Sequence, residues 1–265
     1  MNSFTALVVA DHHRWVAKWV RAADSAGLRQ GAQIAARLAA KGMRSGRPLP
    51  TMHGELMTAL GGGSVVLLEH VPGRELTGEV RDQPDLAGAL ARAHALLGPS
   101  EPDAGFMSWL GDDQRVGDVA AWVLPAIEVV LAEFRGLPSV TWGTLHADPS
   151  PEAFILDETT GEVGIIDWSA ACAGPLMYDV ASAVMYLGGP ANARTFLEHY
   201  ASGGPLTAEE INQHLPTFLR LRAIVQADYF ARRVLNNDLT GIDHQTENHK
   251  GLDDAQQMLR SRFPS

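Results

Sequence analysis

The sequence is poor in cysteine and in basic residues, and it has no long apolar run. Cys172 is the only cysteine in 265 residues, so an intramolecular disulfide and a thiolate metal cluster are excluded, and we interpret this thiol as a small apolar filler. The 21 Lys and Arg residues against 31 Asp and Glu residues give a net charge of −10, which argues against nucleic acid or an anionic membrane as the main partner. No signal peptide is evident, and no apolar run approaches the ~20 residues that span a bilayer, so we predict a cytoplasmic protein.

Length and composition describe a chain that can bury a large core. Hydrophobic residues make up 46% of the sequence and charged residues 20%, which is the balance of an ordinary soluble globular protein. A length of 265 residues suits one two-lobed unit or two small domains. No internal repeat or low-complexity segment is evident, so composition alone leaves both organisations open.

Two aspartates mark the stretch in which we expect the chemistry, residues 145–168. Asp148 lies in a loop that contains two prolines and therefore cannot be helical. Asp167 follows the short apolar run 163–166, whose predicted hairpin partner is 154–156. Such a hairpin brings the two carboxylates to one end of neighbouring strands, where their repulsion requires a proton, a cation or a substrate hydroxyl between them.

A lysine lies on the apolar face of a predicted hairpin near the N-terminus. The runs 4–10 and 14–20 are rich in strand-forming residues and are predicted to pair. Alternation along the second strand places Lys18 on the same face as Val16 and Val20. We interpret this charge as one that reaches a ligand; a solvated lysine on an edge strand is the alternative.

Three short motifs resemble the catalytic region of the aminoglycoside phosphotransferase and choline kinase family, relatives of protein kinases. Residues 146–148 (HAD) resemble the start of the family's loop, His-Gly-Asp-Leu-His-x-x-Asn, and residues 165–168 (IIDW) resemble its motif of two apolar residues, Asp and an aromatic residue. Residues 174–181 (GPLMYDVA) are similar to its Gly-Asp-Pro-x-x-Asp-Leu-Ala. The resemblance implies ATP and magnesium as cofactors. It implies these roles: a catalytic base at Asp148, a residue that braces the loop or packs beneath it at His146, a magnesium ligand at Asp167 and a phosphate-binding lysine at Lys18.

The catalytic loop departs from the family pattern at two positions. Ser150 replaces the second histidine, and Ala153 replaces the metal-binding asparagine in the register set by Phe154. A methyl group cannot ligate magnesium, whereas Glu152, one position earlier, carries oxygens that can. Two alternatives follow: Glu152 is a replacement metal ligand, or the site holds one metal ion or none.

The N-terminal part lacks two further elements that the resemblance implies. The acidic partner of the lysine falls on Gly31 of the first predicted helix, and no glycine-rich phosphate loop is recognisable. The glycines 61–63 are interpreted as the turn of a second hairpin, formed by 52–60 and 64–70. We therefore expect another group to hold Lys18.

The resemblance implies an α+β, protein-kinase-like fold with two lobes. Residues 1–70 would form a reduced, β-rich N-lobe of two hairpins and one helix, and residues 71–265 a larger helical C-lobe with the catalytic hairpin. The hinge backbone at Glu69 and Val71 would hydrogen-bond the adenine of ATP. A plain interdomain linker predicts the same hinge sequence.

Hydrophobic periodicity predicts the remaining helices of the larger lobe. One long helix is expected over 118–134, with a kink at Pro125. The basic tract 220–233 is interpreted as a solvated helix face. Residues 236–251 are expected to be poorly ordered before a last ordered segment at 252–263.

Two titratable residues are assigned structural roles. His94 lies next to the apolar face of the predicted helix 85–97, so packing is its expected role. Asp179 lies near the start of the predicted helix 178–187, where a carboxylate caps orphan N–H groups and favours the positive end of the helix.

These patterns give the hypothesis of an ATP- and magnesium-dependent phosphotransferase. The acceptor would be a hydroxyl of a small molecule, such as an antibiotic or a metabolite, or of Ser or Thr in a natural-product precursor peptide. The alternative is a catalytically inactive, kinase-shaped protein that binds a protein partner. Ala153, Gly31 and the missing glycine-rich loop favour that alternative, because each removes a part that stabilises the transition state.

Overall fold

The computed structural model describes residues 3–260 of the chain. Within this range the strands are β1 (Ser3–Ala10), β2 (His13–Arg21), β3 (Thr58–Leu60), β4 (Gly63–Glu69), β5 (Arg74–Glu75), β6 (Trp142–Leu145), β7 (Phe154–Leu156), β8 (Val163–Ile165) and β9 (Cys172–Pro175). The helices are α1 (Ser25–Ala40), α2 (Gln83–Leu97), α3 (Val116–Val119), α4 (Val123–Arg135), α5 (Met177–Tyr186), α6 (Arg194–Gly203), α7 (Ala208–Leu235) and α8 (Gln245–Arg260). This mixture of a small sheet region and a larger helical region confirms the predicted α+β class.

The first sheet has the antiparallel order β1-β2-β4-β3. The predicted first hairpin is confirmed, and Asp11 and His12 form its turn with φ values of 47° and 67°, as a two-residue hairpin turn requires. The second hairpin forms, but its first strand is limited to β3, so the prediction of a strand from Met52 is wrong. The Thr51 hydroxyl accepts hydrogen bonds from the backbone N–H groups of His53 and Glu55, and this local turn replaces the start of the strand.

Helix α1 packs on this sheet and also touches the segment that follows Asp167. A small core joins the helix to the sheet and contains Val20, Leu28, Ala32, Met57 and Val66. On another side of α1, a Cβ at Gly31 would lie 2.6 Å from the carbonyl carbon of Trp168. Glycine is therefore required for this close approach, and a glutamate at this position has no room.

Replacement of Gly31 by alanine is expected to destabilise the protein. The new methyl group would meet backbone atoms of Trp168, which cannot move aside as a flexible side chain does, so we expect the free energy of unfolding to fall by about 1–3 kcal/mol. Urea denaturation measures the change. Gly88→Ala in α2 is the matched control, since a Cβ at Gly88 would have no atom within 4 Å, and it should raise stability by about 0.5–1 kcal/mol. Equal stability of Gly31→Ala and the wild type would contradict the close contact.

The helical region has its own large core, with fully buried side chains such as Leu86, Phe196 and Phe218. The single helix predicted over 118–134 is wrong, because α3 and α4 are separated by an extended residue, Ala120 (φ −152°, ψ 106°). Pro125 lies in the first turn of α4, where its missing N–H removes no helical hydrogen bond. It therefore helps to start the second helix instead of kinking a longer one.

The C-terminal segment is ordered earlier in the sequence than predicted, since α8 begins at Gln245. The reason is a buried hydrogen-bond network: Arg233 Nε donates to Asn248 Oδ1 at 2.8 Å, and Asn248 Nδ2 donates to the carbonyl oxygen of Asp238 at 2.9 Å. Arg233 is thus buried, not solvated as predicted. The last positions of the segment predicted at 252–263 lie outside the described residues.

Two small sheets carry the loop that contains Asp148 and the strand that precedes Asp167. Strands β5, β7 and β8 pair in that order, and β6 pairs with β9. The predicted hairpin of β7 and β8 is confirmed, with Phe154 opposite Ile165. None of the helices between residues 3 and 260 has the length and apolarity to cross a membrane. The predicted boundary between residues 70 and 71 stays a prediction.

Candidate active site

Asp148 and Asp167 line the same cleft between the sheet region and the helical region. The cleft has a volume of about 520 Å³ and is also lined by Glu152, Ile166 and Ser169, with residues of β1, β2 and α1 on its other side. Asp148 lies in the loop before β7, and Asp167 follows β8. The β7–β8 hairpin therefore brings the two carboxylates to one cleft, as predicted. Carboxylates in a cleft repel an anionic ligand, so such a ligand binds there only when a metal cation or a lysine lies close to the carboxylates.

A buried carboxylate from α5 holds the backbone of the Asp148 loop. Asp179 is fully buried and accepts hydrogen bonds from the N–H groups of His146 (2.6 Å) and Ala147 (2.8 Å) and from His94 Nε2 (3.0 Å). Ala147 has φ 69°, a strained conformation for a residue with a Cβ. Asp179 is structural, as predicted, but it bonds this loop and not the free N–H groups of its own helix.

Replacement of Asp179 by asparagine is expected to destabilise the loop and the fold. Asparagine keeps one acceptor oxygen and turns an NH2 group toward an N–H donor, so a buried amide loses its partner at a cost of about 1–3 kcal/mol. Urea denaturation of the variant measures this loss. Asp254→Asn is the control, because Asp254 is exposed on α8 and should change stability by less than about 0.5 kcal/mol. If both variants were as stable as the wild type, the anchoring role of Asp179 would be excluded.

His146 connects the two aspartate-bearing segments without lining the cleft. Its Nδ1 accepts a hydrogen bond from the Asp148 N–H (3.3 Å), and its Nε2 donates to the carbonyl oxygen of Ile166 (2.9 Å). The ring also packs edge-on against Trp168, with centroids 4.7 Å apart. His146 therefore has the contacts of a residue that braces the loop, and it packs there as well.

Lys18 is held by Asp167 and Ser169 instead of by a glutamate from α1. Its ammonium group forms an ion pair with Asp167 and donates a hydrogen bond to Ser169 Oγ at 2.7 Å, and Ser169 Oγ donates to Asp167 at 2.6 Å. Burial alone would raise the pKa of Asp167, but the Lys18 ammonium and the hydrogen bonds lower it below its usual value. Asp167 is therefore ionised, which a metal ligand requires.

The residues of the cleft fit a divalent cation that is held by few protein ligands. Ala153 is buried and offers only a methyl group, whereas Glu152 and Asp167 supply carboxylates to the same cleft. Among the described residues, no group of three or more His, Cys, Asp or Glu side chains lies close enough to form a metal cluster. Magnesium commonly takes one or two protein carboxylates and completes its shell with phosphate oxygens and water. The donor set fits that mode and not a cage built from protein alone.

Two residues that the sequence did not indicate contact the predicted base. The Tyr186 hydroxyl donates a hydrogen bond to Asp148, and Arg222 Nη2 lies 3.4 Å from the same carboxylate oxygen. Arg222 also donates through Nε to Ser182 Oγ at 3.0 Å. The interpretation of the tract 220–233 as a solvated face is therefore wrong at Arg222, whose side chain is only 9% exposed.

A second and larger cavity lies on the other side of Asp148. It has a volume of about 870 Å³ and its wall is rich in aromatic rings. The lining includes Phe106, Trp109, Tyr178, Tyr186, Arg222 and Tyr229. Asp148 belongs to both this cavity and the 520 Å³ cleft, which places its carboxylate between two binding spaces.

The predicted hinge residues lie at the end of β4 and just after it. The backbone N–H of Glu69 donates to the Arg47 carbonyl oxygen at 2.8 Å, and the two side chains form an exposed ion pair. Glu69 and Val71 line a separate cavity of about 360 Å³. Because the Glu69 N–H is occupied, its carbonyl oxygen and the Val71 backbone are the groups left for adenine, and their role stays a prediction.

Sequence comparisons place the chain in a family of phosphotransferases. The family model of the APH phosphotransferase enzyme family matches residues 2–211. A homoserine kinase of Pseudomonas aeruginosa (strain LESB58) is 29% identical over 200 residues, which cover 68% of this chain and 63% of the relative. The chain spans between about half and 63% of the length of the curated homoserine kinases that it matches.

Solved structures share the fold. The amicoumacin kinase hAmiN, in complex with AMP-PNP, Ca²⁺ and Ami, gives a TM-score of 0.72 at 16% identity and covers 97% of this chain and 85% of its own. The choline kinase LicA from Streptococcus pneumoniae gives a TM-score of 0.70 at 17% identity and covers 96% of this chain and 89% of its own. These similarities confirm the predicted protein-kinase-like architecture. With its motifs at 146–148 and 165–168, its two-lobed fold and the match over 2–211, the chain belongs to the APH phosphotransferase enzyme family.

Proposed function

We propose that this protein transfers the γ-phosphoryl group of ATP to a hydroxyl group of a small molecule, with magnesium as cofactor. One observation carries the proposal: Asp148 lies at the junction of the 520 Å³ cleft and the 870 Å³ cavity. A phosphotransferase needs a donor site and an acceptor site that meet at one group. The carboxylate of Asp148 occupies the point where an acceptor hydroxyl would face the nucleotide.

The groups that the donor needs lie in the cleft and beside it: Asp167 and Glu152 line the cleft, and Lys18 lines a small pocket that Asp167 and Ser169 also line. Lys18 would bind phosphate oxygens, and Asp167, with Glu152 as the second candidate, would hold magnesium, which when bound neutralises charge on the phosphates. Lys18 and Asp167 bond one another in the structure, so nucleotide binding would exchange this ion pair for contacts to phosphate and cation. The hinge backbone at Glu69 and Val71 would bind adenine.

Asp148 would orient the acceptor hydroxyl and receive its proton as the phosphoryl group is transferred. The hydrogen bonds from the loop backbone to Asp179 and from the Asp148 N–H to His146 fix the position of this carboxylate. The Tyr186 hydroxyl occupies one oxygen of Asp148. An acceptor hydroxyl would take the other oxygen or displace the tyrosine.

The size of the acceptor cavity supports a small molecule as the acceptor. A volume of about 870 Å³ lies within the range of sites that enclose drug-sized ligands, roughly 300–1,000 Å³. The related proteins named above are a homoserine kinase, an amicoumacin kinase and a choline kinase. A Ser or Thr side chain of a precursor peptide is the other acceptor that we predicted, and it would have to enter this cavity from its open side.

Two observations favour the inactive alternative. Lys18 and Asp167 are already paired, and Ala153 supplies no metal ligand. A protein that only binds a partner would leave this ion pair closed. Nucleotide binding therefore separates the two functions.

Calorimetric titration of the wild type with AMP-PNP tests the proposal. We expect binding with a Kd well below 1 mM in the presence of Mg²⁺, weakened at least about tenfold by EDTA, or about 1.4 kcal/mol. The chelator dependence reports the metal contribution separately from adenine binding. Absence of binding at about millimolar nucleotide, with or without Mg²⁺, would reject the phosphotransferase and leave the partner-binding protein.

A further inference from the structure

We propose that Arg222 binds a carboxylate group of the acceptor, so that the substrates of this protein are hydroxylated carboxylic acids such as hydroxy amino acids. This inference rests on the proposed phosphotransferase function. It assigns a specificity-determining role to a residue of α7 that none of the sequence motifs includes.

The position of Arg222 points to the acceptor and not to the nucleotide. Arg222 lines the 870 Å³ cavity together with Asp148. It is not among the residues that line the 520 Å³ cleft. An anion that meets this guanidinium group therefore enters from the acceptor side, within a few atoms of the predicted base.

The guanidinium group of Arg222 is buried but incompletely hydrogen-bonded. Nε donates to Ser182 Oγ at 3.0 Å, while Nη2 lies 3.4 Å from both Asp148 Oδ1 and the Tyr186 hydroxyl oxygen. Distances of 3.4 Å describe weak hydrogen bonds. Nη1 makes no hydrogen bond to any residue between 3 and 260. A guanidinium group has five N–H donors in a planar fork, so part of the fork is open to the cavity.

The surroundings keep Arg222 charged. Burial would lower the pKa of Arg222, but Tyr178, Tyr186 and Asp148 raise it above its usual value, and the cation lies 5.7 Å from the centre of the Tyr178 ring. The nearest carboxylate, Asp148, lies 3.4 Å from Nη2, so the hydration that the buried cation loses is only partly replaced. A planar carboxylate that accepts two parallel N–H bonds is the ligand that matches an open arginine fork.

The separation of Arg222 and Asp148 limits where the carboxylate lies on the substrate. With Nη2 at 3.4 Å from Asp148, a hydroxyl at Asp148 and a carboxylate at Nη1 would be a few bonds apart. The rest of the cavity, which is much larger than such a fragment, would accept further groups of the molecule. The inference is therefore about this hydroxy-acid portion and leaves the remainder of the substrate open.

Matched pairs of acids and amides test the inference by direct binding. L-Homoserine, L-threonine and N-acetyl-L-serine, and the amide of each, are titrated into wild-type protein that is saturated with AMP-PNP and Mg²⁺. We expect at least one acid to bind about tenfold or more tightly than its amide, the difference typical of a charge-assisted hydrogen bond. If no acid binds more tightly than its amide, including the case in which nothing binds, the inference is wrong.

Variants at Arg222 assign the preference to this side chain. Arg222→Met should make the affinities for each acid and its amide equal. Arg222→Lys, which keeps a cation in the buried site, should reduce the preference for the acid. Arg220→Met is the matched control, because Arg220 lies on the same helix and pairs with Glu133 away from both cavities, and it should keep the wild-type ratio. A wild-type ratio in a folded Arg222→Lys or Arg222→Met protein would overturn the assignment.

The affinity for AMP-PNP shows whether the inference about Arg222 fails alone or together with the proposed function. We expect the Arg222 variants to bind AMP-PNP as the wild type does. A loss of nucleotide affinity with an unchanged acid-to-amide ratio would mean that Arg222 meets the transferred phosphoryl group, which contradicts the inference. If the wild type itself binds no AMP-PNP, the phosphotransferase proposal fails, and the inference fails with it.

Discussion

Replacement of Asp148 by asparagine is expected to reduce phosphoryl transfer by about 10²–10⁴-fold, the range that a positioned general base contributes. Asparagine has nearly the same size and can still accept the hydrogen bond of Tyr186, but it cannot receive the proton of the acceptor hydroxyl. The side chain of Asp148 is 39% exposed, so the substitution buries no new polar group. The initial rate of ADP formation with acceptor, at saturating ATP and Mg²⁺, measures the effect.

Nucleotide affinity and stability are the controls for Asp148→Asn. Because Asp148 is proposed to act on the acceptor, the Kd for AMP-PNP should remain within about twofold of the wild type. The free energy of unfolding should fall by about 1 kcal/mol at most, because the amide removes the partly exposed charge that lies 3.4 Å from the buried Arg222 guanidinium. Asp254→Asn, an exposed substitution of the same type, should leave the rate unchanged. A folded Asp148→Asn protein with the wild-type rate would show that this carboxylate is not the base.

Replacement of Asp167 by asparagine is expected to abolish Mg²⁺-dependent nucleotide binding and with it turnover. The amide loses the charge that attracts the cation. It also removes the carboxylate that pairs with Lys18, whose side chain is 7% exposed, and removal of one partner of a buried ion pair costs about 3–5 kcal/mol. Two effects are therefore predicted, one on ligand binding and one on stability. Calorimetry with AMP-PNP and Mg²⁺ measures the first, and urea denaturation measures the second.

A second substitution distinguishes these effects. In Asp167→Asn with Lys18→Met, the buried lysine is removed, so the double variant should regain part of the lost stability. It should still bind no nucleotide in a Mg²⁺-dependent manner. If Asp167→Asn alone retained the wild-type dependence on Mg²⁺, Asp167 would not be the metal ligand, and Glu152 would be the next residue to replace.

The sequence predicted those parts of the site that are close together along the chain. Asp148 and Asp167 are linked by the short hairpin of β7 and β8, whose apolar alternation and turn residues are local signals. Lys18 was indicated by strand alternation in the same way. Each of these three groups lies on or beside an element whose type the sequence specifies well.

The sequence did not predict contacts between distant segments. Arg222 lies 74 residues after Asp148, on a helix that is buried on several sides. Its position in a basic tract predicted a solvent-exposed side chain, but the side chain lines a cavity. Asp179 lies near the start of α5, where helix capping is the usual role, yet it bonds the loop of His146. The partners of Lys18 were left open because Asp167 and Ser169 lie 149 and 151 residues after it in the chain. These contacts depend on tertiary packing, which single-sequence patterns do not contain.

Gly31 shows how such packing alters a family feature. Its missing side chain allows α1 to approach Trp168, and this approach leaves no space for the expected glutamate. Asp167 and Ser169 bind the ammonium group of Lys18 in place of that glutamate. The ion pair of Lys18 with Asp167 therefore replaces the lysine–glutamate pair that the family resemblance implies.

Transfer of label from ATP is the decisive test of phosphotransferase activity with Asp148 as the base. The wild type is incubated with Mg²⁺, [γ-³²P]ATP and each of the hydroxylated acids, amides and simple amino alcohols, and the label on the acceptor is measured beside that in an Asp148→Asn reaction. We expect label on at least one acceptor with the wild type and a loss of about 10²-fold or more with the variant. Label that stays on ATP with every acceptor, although AMP-PNP binds, or equal transfer by the two proteins, would contradict the proposed function.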